Sequence, residues 1–265
     1  RGIGAVIGIW LLLSGSVGIT ISVADFAPDW ETIRRIFSIG APASLEVSTK
    51  ALSVTILTAL VAIAGAEAVA AYGIGSRVTS MVVLPALGLA RGVETVVGQN
   101  LGAQQVDRAK RGVRIAIGIV IGCFVVFGLG VYLFAPLIVS VFVTGMGAST
   151  VVEIGGEYLR IVAASYVFLG MFFVIQGGFR GSGQTRLALV FAFVGYIVLR
   201  SALAYVLAVP MGWGATGIWY GEAASNVLMA ILVFAYFRRG TWTNRLVEGD
   251  NSTDASGDDH QSPGV

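Results

Sequence analysis

Long apolar stretches separated by short polar segments cover most of this 265-residue chain. Each stretch is long enough to cross about 30 Å of hydrocarbon as an α-helix. None shows the strict alternation over about ten residues that a transmembrane β-strand requires. The pattern therefore predicts an all-α, polytopic transmembrane helix bundle of about seven spans. The spans run roughly over residues 2–24, 35–63, 68–97, 112–142, 151–178, 187–209 and 215–237.

The composition agrees with a protein that is embedded in lipid. Charged residues make up 12% of the chain and hydrophobic residues 56%, whereas soluble domains carry about 25% charged residues. These proportions exclude a water-soluble enzyme. The 36 glycines suit helices that pack closely in a membrane. Cys123 is the only cysteine, which excludes an internal disulfide and a thiolate metal cluster.

The basic residues of the loops orient the chain. Segments after the second, fourth and sixth spans hold no Lys or Arg, only Glu67, Glu153 and Glu157. Loops rich in Lys and Arg stay in the cytoplasm, so the first span is predicted to run inward and the C-terminus to be cytoplasmic. The segments after the other spans hold Arg34, Arg35, Arg108, Lys110, Arg111, Arg114, Arg180, Arg186, Arg238, Arg239 and Arg245.

The two ends of the chain differ from the spans. Because the first span enters from outside, the sequence suggests a fragment whose upstream spans are missing. A signal peptide that ends at Ser22-Val23-Ala24 is the alternative. The segment after the last span, 238–265, becomes polar and acidic and is predicted to be a disordered cytoplasmic tail.

Groups for enzymatic chemistry are scarce. His260, the only histidine, lies in the predicted tail, and no His, Cys or carboxylate residues are spaced as metal ligands. No base is positioned to activate a serine. Gly73-Ile74-Gly75 is half of a dinucleotide-binding fingerprint, but close helix packing explains it better. The chain is therefore expected not to be an enzyme and to bind no metal or cofactor.

Ionisable residues inside the spans are the informative ones, because each costs a few kcal/mol in hydrocarbon and usually faces a cavity or a partner. Glu46 and Lys50 are one helical turn apart in the second span, in the favourable order for an ion pair. This pattern indicates either a cation or substrate site or a structural ion pair. Tyr72 and Arg77 in the third span either line the same cavity or, for Arg77, pair with a neighbouring helix.

Arg200 in the sixth span and Glu222 with Asn226 in the seventh allow the same two interpretations, lining a cavity or pairing with a neighbouring helix. An Arg200–Glu222 bridge between these adjacent helices is the structural alternative. Arg91 and Glu94 lie near the inner end of the third span, where long side chains reach the interface. Pro42 and Pro85 interrupt two spans, as kinks or as hinges.

Glycine-rich turns followed by basic residues end the third and fifth spans. Glycine permits a tight turn at the interface, and Arg groups anchor to lipid headgroups. The residues that define these cytoplasmic motifs are Gly98, Gln99, Gly102, Arg180, Gly181 and Gly183.

These motifs resemble those of the multidrug and toxic compound extrusion (MATE) family. VGQNLGAQQVDRAKR at 97–111 is similar to the family's Val-Gly-Gln-x-x-Gly-Ala stretch. GGFRGSGQTR at 177–186 resembles its Leu-Arg-Gly-x-Gly-Asp-Thr-Arg loop, with Gln184 where Asp is usual. The segments GATGIWYGEAASNVLMA at 214–230 and FRRGTW at 237–242 resemble its last helix and exit.

The resemblance implies twelve helices in two six-helix lobes around a central cavity, in a multi-pass plasma-membrane protein. Residues 1–24 would be the last helix of the first lobe, 25–34 the cytoplasmic loop between lobes, and 35–237 the second lobe. The chain would then be the C-terminal half of a transporter, and its partners would be the lipid bilayer and the N-terminal lobe of the same polypeptide.

The resemblance also implies site residues. Glu46 would exchange the coupling cation and Lys50 would tune its charge, while Tyr72, Arg77, Tyr166 and Gln176 would line the substrate cavity. Two departures leave the coupling ion, H⁺ or Na⁺, open. Some members carry a Glu two turns after the proline of this helix, whereas Glu46 follows Pro42 by one turn. Those members also carry an Asp in a region that here, at 168–171, holds no carboxylate.

The function implied is secondary active export of small, amphipathic, cationic drugs by cation:drug antiport and alternating access. A flippase for lipid-linked oligosaccharides of the same superfamily is one alternative, which a more cationic cavity would favour. A membrane scaffold subunit without transport activity is the other.

Overall fold

The structure is a computed structural model that describes residues 29–145, 147–240 and 242, with the isolated positions 2, 6, 7 and 10. The predicted first span and the predicted tail after Trp242 lie outside these residues, apart from the isolated positions. The chain divides into two units at the Ala41–Pro42 bond. Each unit is described by itself.

The described residues form helices and no strand. The helices are α1 (Trp30–Ala62), α2 (Ala66–Gly102), α3 (Val106–Ser140), α4 (Ala148–Ala163), α5 (Tyr166–Gly181), α6 (Thr185–Phe193), α7 (Arg200–Ala208) and α8 (Gly214–Arg238), and a π-helical segment, Val194–Leu199, joins α6 to α7.

Six of the predicted spans are present within residues 30–238. Helices α1, α2, α3 and α8 are each long and apolar enough to cross a membrane, and so is the continuous run Thr185–Ala208. Helices α4 and α5 pass the same test as a pair that is bent by 53°. The prediction of an all-α, multi-pass membrane protein is therefore confirmed.

Helix α1 begins earlier than the sequence analysis expected. The Asp29 carboxylate accepts hydrogen bonds from the Glu31 amide at 3.0 Å and from the Thr32 hydroxyl at 2.6 Å. These bonds occupy donors that the first turn of a helix leaves free, and they lower the pKa of Asp29. Residues 30–34, assigned above to the loop between lobes, are therefore helical.

The predicted span 151–178 is two helices, with the break at Ala164 and Ser165. The Ser165 hydroxyl donates to the Val162 carbonyl at 2.7 Å, and its amide donates to the same oxygen at 2.9 Å. A serine that bonds back to the preceding turn competes with the helical hydrogen-bond pattern. The break therefore arises without proline or glycine, the residues that normally signal one.

Helix α5 lies at the centre of the second unit and packs against α2, α3 and α8. Its contact with α2 is between backbones, because a Cβ atom on Gly177 would collide with the Ala90 carbonyl oxygen, and one on Gly181 with that of Glu94. Gly98 lies against the Gly181 carbonyl, where a Cβ would be 3.4 Å away. The two glycine-rich motifs therefore pack on each other.

Replacing Gly177 with Ala is expected to lower the free energy of unfolding by about 1–3 kcal/mol, the usual cost of overpacking. The added methyl group meets backbone, which cannot rotate away. Gly73→Ala is the matched control, since nothing lies within 4 Å of a Cβ at Gly73. Thermal unfolding in detergent measures both, and equal midpoints would show that α2 and α5 are not held this closely.

The predicted disordered tail begins too early. Trp242 is fully buried and stacks on Phe237, with the ring centroids 5.1 Å apart. Its indole nitrogen donates to the Phe237 carbonyl at 3.2 Å, and its own carbonyl accepts a hydrogen bond from the Gln184 amide at 2.6 Å. Residue 242 therefore belongs to the packed bundle, and Gln184 holds it there.

Candidate functional site

Glu46, Glu94 and Arg180 form an ion cluster between α1, α2 and α5, called here the Arg180 cluster. An Arg180 Nη1 atom lies 2.7 Å from Glu46 Oε1, and its Nε lies 3.3 Å from Glu94 Oε2. The Glu46 side chain is 13% exposed and that of Glu94 is 38% exposed. The cluster carries one more negative than positive charge.

Backbone packing positions the cluster. Arg180 lies in the last turn of α5, and the contact of Gly181 with the Glu94 carbonyl brings the α2 carboxylate alongside. Glu46 reaches the same guanidinium from the turn after Pro42. Its second oxygen, Oε2, is buried and has no hydrogen-bond partner among the described residues.

The ion pair between Glu46 and Lys50, one of the two alternatives given above, is not formed. The Glu46 carboxylate pairs instead with Arg180, which lies 134 residues away in sequence. A guanidinium favours this pairing because it offers several donors in a fixed planar arrangement. The Lys50 ammonium instead lies 5.1 Å from the centroid of the Phe173 ring, an arrangement that stabilises a cation. The two candidate residues therefore belong to different environments.

Lys50 lines a small cavity inside the second unit. Its volume is about 70 Å³, well below the 300–1,000 Å³ of typical small-molecule sites. It has room for a few water molecules or a small ion, but not for a drug. The polar residues of its wall are Lys50, Tyr72, Ser76, Thr79, Ser80, Tyr158, Tyr196, Arg200 and Glu222.

The charges of this cavity are two cations and one anion, Lys50 and Arg200 against Glu222. Arg200 Nη1 lies 3.6 Å from Glu222 Oε1, which confirms the bridge predicted between the last two spans. Glu222 Oε2 also accepts a hydrogen bond from the Tyr158 hydroxyl at 3.3 Å. Lys50 is therefore the cavity cation without a carboxylate partner among the described residues.

A chain of hydrogen bonds runs from Arg200 to the break between α4 and α5. Arg200 donates to the Asn226 side-chain oxygen at 2.6 Å and to the Ser225 hydroxyl at 3.2 Å. The Asn226 amide donates to the Ser165 hydroxyl at 2.9 Å. Arg200 also lies over the Tyr196 ring, 4.8 Å from its centroid. The buried guanidinium is therefore satisfied on every side by α8 and the π-helical segment.

The four substrate-cavity candidates separate in the structure. Tyr72 lines the cavity, and the Tyr166 hydroxyl lies 2.9 Å from that of the lining residue Thr79. Arg77 is exposed and does not line it. Gln176 is fully buried and donates to the Ala188 carbonyl at 2.9 Å, so it joins α5 to α6 instead. Arg77 and Gln176 therefore do not line this small cavity, and their place at the substrate cavity between the lobes stays a prediction.

Tyr158 and Tyr196 are functional candidates that were not predicted from the sequence. Tyr158 packs edge-on against Tyr72 and Trp219, with ring centroids 5.6 and 4.8 Å apart. The Tyr196 carbonyl, in the π-helical segment, accepts a hydrogen bond from the Ser53 hydroxyl of α1 at 2.8 Å. Tyrosines within otherwise apolar spans were the available signal, since a buried tyrosine hydroxyl usually has a hydrogen-bond partner, as that of Tyr158 does.

Solved structures share the fold of the described bundle. One titled as a crystal structure of MATE in complex with MaL6 superposes with a TM-score of 0.83 at 23% identity, over 91% of this chain and 54% of that one. A transporter of the MOP superfamily from Pyrococcus furiosus, whose title reports a binding pocket of reverse polarity that suggests a different function, gives 0.81 at 23% identity over the same shares.

A curated relative, the probable multidrug resistance protein NorM of Thermotoga maritima, is 26% identical over 83% of this chain and 47% of its own length. The chain spans about half the length of the curated relatives it matches. The sequence profile of the family described as MatE matches residues 42–206, which is more than half of the chain. The chain therefore belongs to the MatE family.

Proposed function

We propose that this chain is the second lobe of a cation-coupled exporter of small amphipathic cations that works by alternating access. The observation that carries the proposal is the Arg180 cluster, in which a partly buried carboxylate inside a span binds Arg180 through one oxygen, while its other oxygen has no partner among the described residues. Ionisable residues in spans usually mark ion pathways. Its family membership and the name of the NorM relative support the same function.

Glu46 would couple the ion to the conformational change. A proton or Na⁺ on its carboxylate neutralises the charge that attracts the Arg180 guanidinium. Loss of that attraction weakens the 2.7 Å contact between α1 and α5 and favours a second arrangement of these helices. A ligand shifts such an equilibrium by its differential affinity for the two states. The Lys50 charge would set the electrostatic environment of the ion on the same helix.

The substrate would bind outside the 70 Å³ cavity, which is too small for it. We propose that this site lies between this lobe and the N-terminal lobe that the family resemblance implies, near Tyr72 and Tyr166. We also propose a plasma-membrane location with a cytoplasmic C-terminus, because the basic residues cluster at alternate span ends. No enzymatic activity and no cofactor beyond the coupling H⁺ or Na⁺ is proposed.

Transport by the complete protein in sealed vesicles tests this function. A fluorescent cationic drug is expected to move against its gradient when either a proton or a Na⁺ gradient is imposed, and to stop when that gradient is collapsed by an ionophore. Whichever gradient drives transport identifies the ion. Equal drug movement in empty vesicles, or movement that ignores both gradients, would instead support a scaffold without transport.

The excess of positive charge around the small cavity would attract an anionic substrate bound beside it, and this favours a second candidate, flipping of an anionic lipid-linked sugar. Lys50 and Arg200 outnumber Glu222 there, and the Pyrococcus furiosus neighbour is titled for a pocket of reverse polarity. Under this function Lys50→Gln impairs movement of a labelled lipid diphosphate sugar between leaflets and leaves cationic drug export intact. Under the exporter function, Lys50→Gln instead changes cationic drug export and has no effect in the lipid assay.

A further inference from the structure

A second groove lies between α3, α4 and α8, away from the Arg180 cluster and the small cavity. Its volume is about 800 Å³, within the range of small-molecule sites. Three charged residues of α4 line it, namely Glu153, Glu157 and Arg160, and Tyr132 and Tyr220 flank them. This set is called here the headgroup groove.

The three charges lie along one stripe of α4. Their spacing of four and three residues puts them on the same helix face. The Glu157 carboxylate accepts a hydrogen bond from the Thr216 hydroxyl of α8 at 2.8 Å, which fixes it at the groove wall. Arg160 is exposed, and its guanidinium has no hydrogen bond or ion pair with any residue in the described ranges.

An exposed, unpaired arginine inside a span needs compensation. A charge in hydrocarbon costs at least a few kcal/mol, and such groups normally find a partner of opposite charge. Neither carboxylate of the groove pairs with Arg160 in the structure. The groove therefore offers a guanidinium at one end and two carboxylates nearer the start of α4, which is the end closer to the membrane surface.

An apolar groove of about 280 Å³ continues from the headgroup groove and shares Tyr132 and Ala164 with it. Its walls include Phe124, Val125, Leu129 and Val167. Phe124 lies about 12 Å from Tyr132 along α3, on the side of the helix start, at 1.5 Å per residue. That direction leads toward the middle of α3, and hence toward the membrane midplane. This second set is called the tail groove.

We propose that the two grooves bind one aminophospholipid. Its phosphate would lie at Arg160, because a guanidinium binds phosphate through paired hydrogen bonds. Its primary ammonium would lie at Glu153 and Glu157, and one acyl chain would occupy the tail groove. With the predicted orientation, the start of α4 is external, so the lipid belongs to the outer leaflet. The site is independent of the exported substrate.

Charge complementarity selects this headgroup. Two carboxylates disfavour an anionic lipid without an ammonium group, and Arg160 disfavours a purely cationic amphiphile. A choline headgroup has the same two charges but no N–H to donate to a carboxylate. The groove therefore distinguishes an ethanolamine lipid from choline and glycerol lipids with identical chains.

Native mass spectrometry of the complete protein in detergent tests the site with phosphatidylethanolamine, phosphatidylcholine and phosphatidylglycerol of matched chains. The ethanolamine lipid is expected to bind about tenfold more tightly than either of the others, the effect of one charge-assisted hydrogen bond. Arg160→Gln is expected to weaken its binding by a similar factor. Glu153→Gln should remove the preference over the choline lipid.

Tail-groove variants separate binding from folding. Val125→Trp fills the groove and is expected to abolish the specific lipid adduct. Val126→Trp is the matched control, since Val126 is the adjacent residue of α3, is 70% exposed and does not line the groove. Arg114→Gln, on an exposed arginine near the start of α3, controls for loss of positive charge.

Three results would overturn the proposal. They are equal binding of the glycerol and ethanolamine lipids, equal effects of the two Trp variants, and tighter binding of a cationic amphiphile than of any phospholipid. If Arg160→Gln does not fold, the wild-type lipid preference and the Val125/Val126 pair still decide the question. None of these measurements involves drug transport, so their outcome does not depend on whether the protein exports drugs.

Discussion

Glu46→Gln in the complete protein is expected to reduce drug export to the level of cells that lack the protein. Glutamine keeps the size of the side chain and can still bond to Arg180, but it can neither exchange a proton nor hold Na⁺ by charge. The 2.7 Å contact between α1 and α5 then no longer responds to the coupling ion. Efflux of a fluorescent drug from energised cells, normalised to protein in the membrane, measures the effect.

Two control variants test whether the loss of export is specific to Glu46. Glu67→Gln, at an exposed position in the first turn of α2, is expected to leave export unchanged. Glu94→Gln removes the longer and more exposed of the two Arg180 contacts and is expected to reduce export only partly. Normal efflux by the Glu46 variant, or complete loss with Glu94→Gln alone, would remove Glu46 from the coupling role.

Arg200→Met is expected to destabilise the folded protein by about 3–5 kcal/mol, the cost of leaving one member of a buried ion pair without its partner. Glu222 is 6% exposed and keeps the Tyr158 hydroxyl as its remaining side-chain hydrogen-bond partner. Asn226 and Ser225 each lose a donor. Thermal and denaturant unfolding in detergent, followed by helical circular dichroism, measure the loss.

A second substitution identifies the cause of that loss. Arg200→Met with Glu222→Gln removes the uncompensated charge and is expected to recover part of the stability, so the two effects are not additive. Arg91→Met, on an exposed arginine of α2, is expected to change the unfolding free energy by less than about 0.5 kcal/mol. Equal losses for Arg91→Met and Arg200→Met would show that the buried network contributes little.

The spans were predictable because long apolar runs in lipid have few alternatives to a helix. The Arg200–Glu222 bridge was predictable for a related reason, since opposite charges on adjacent helices share the cost of burial. The break at Ser165 was not predictable, because Ala163, Ala164 and Ser165 all fit a helix interior. Only the side-chain hydrogen bonds of Ser165, one of them to Asn226, distinguish it from an ordinary serine.

The Arg180 cluster could not be predicted from the spacing of residues along one helix. The spacing of Glu46 and Lys50 satisfies the rule for a pair one turn apart, but that rule takes no account of a donor 134 residues away. The meeting of Arg180 with Glu94 depends on how closely α2 and α5 approach. Gly177 and Gly181, four residues apart, were the available signal for that approach, although the sequence motif that contains them predicted only a turn.

Helices α2 and α5 are in direct backbone contact at Gly177 and Gly181, so neither can roll on the other without separating. In a working transporter these two helices would move as one rigid body. Bending would then concentrate where α5 meets α4, at the 53° joint between them. Stiffening that joint would slow the transport cycle while leaving the affinity for the ion unchanged.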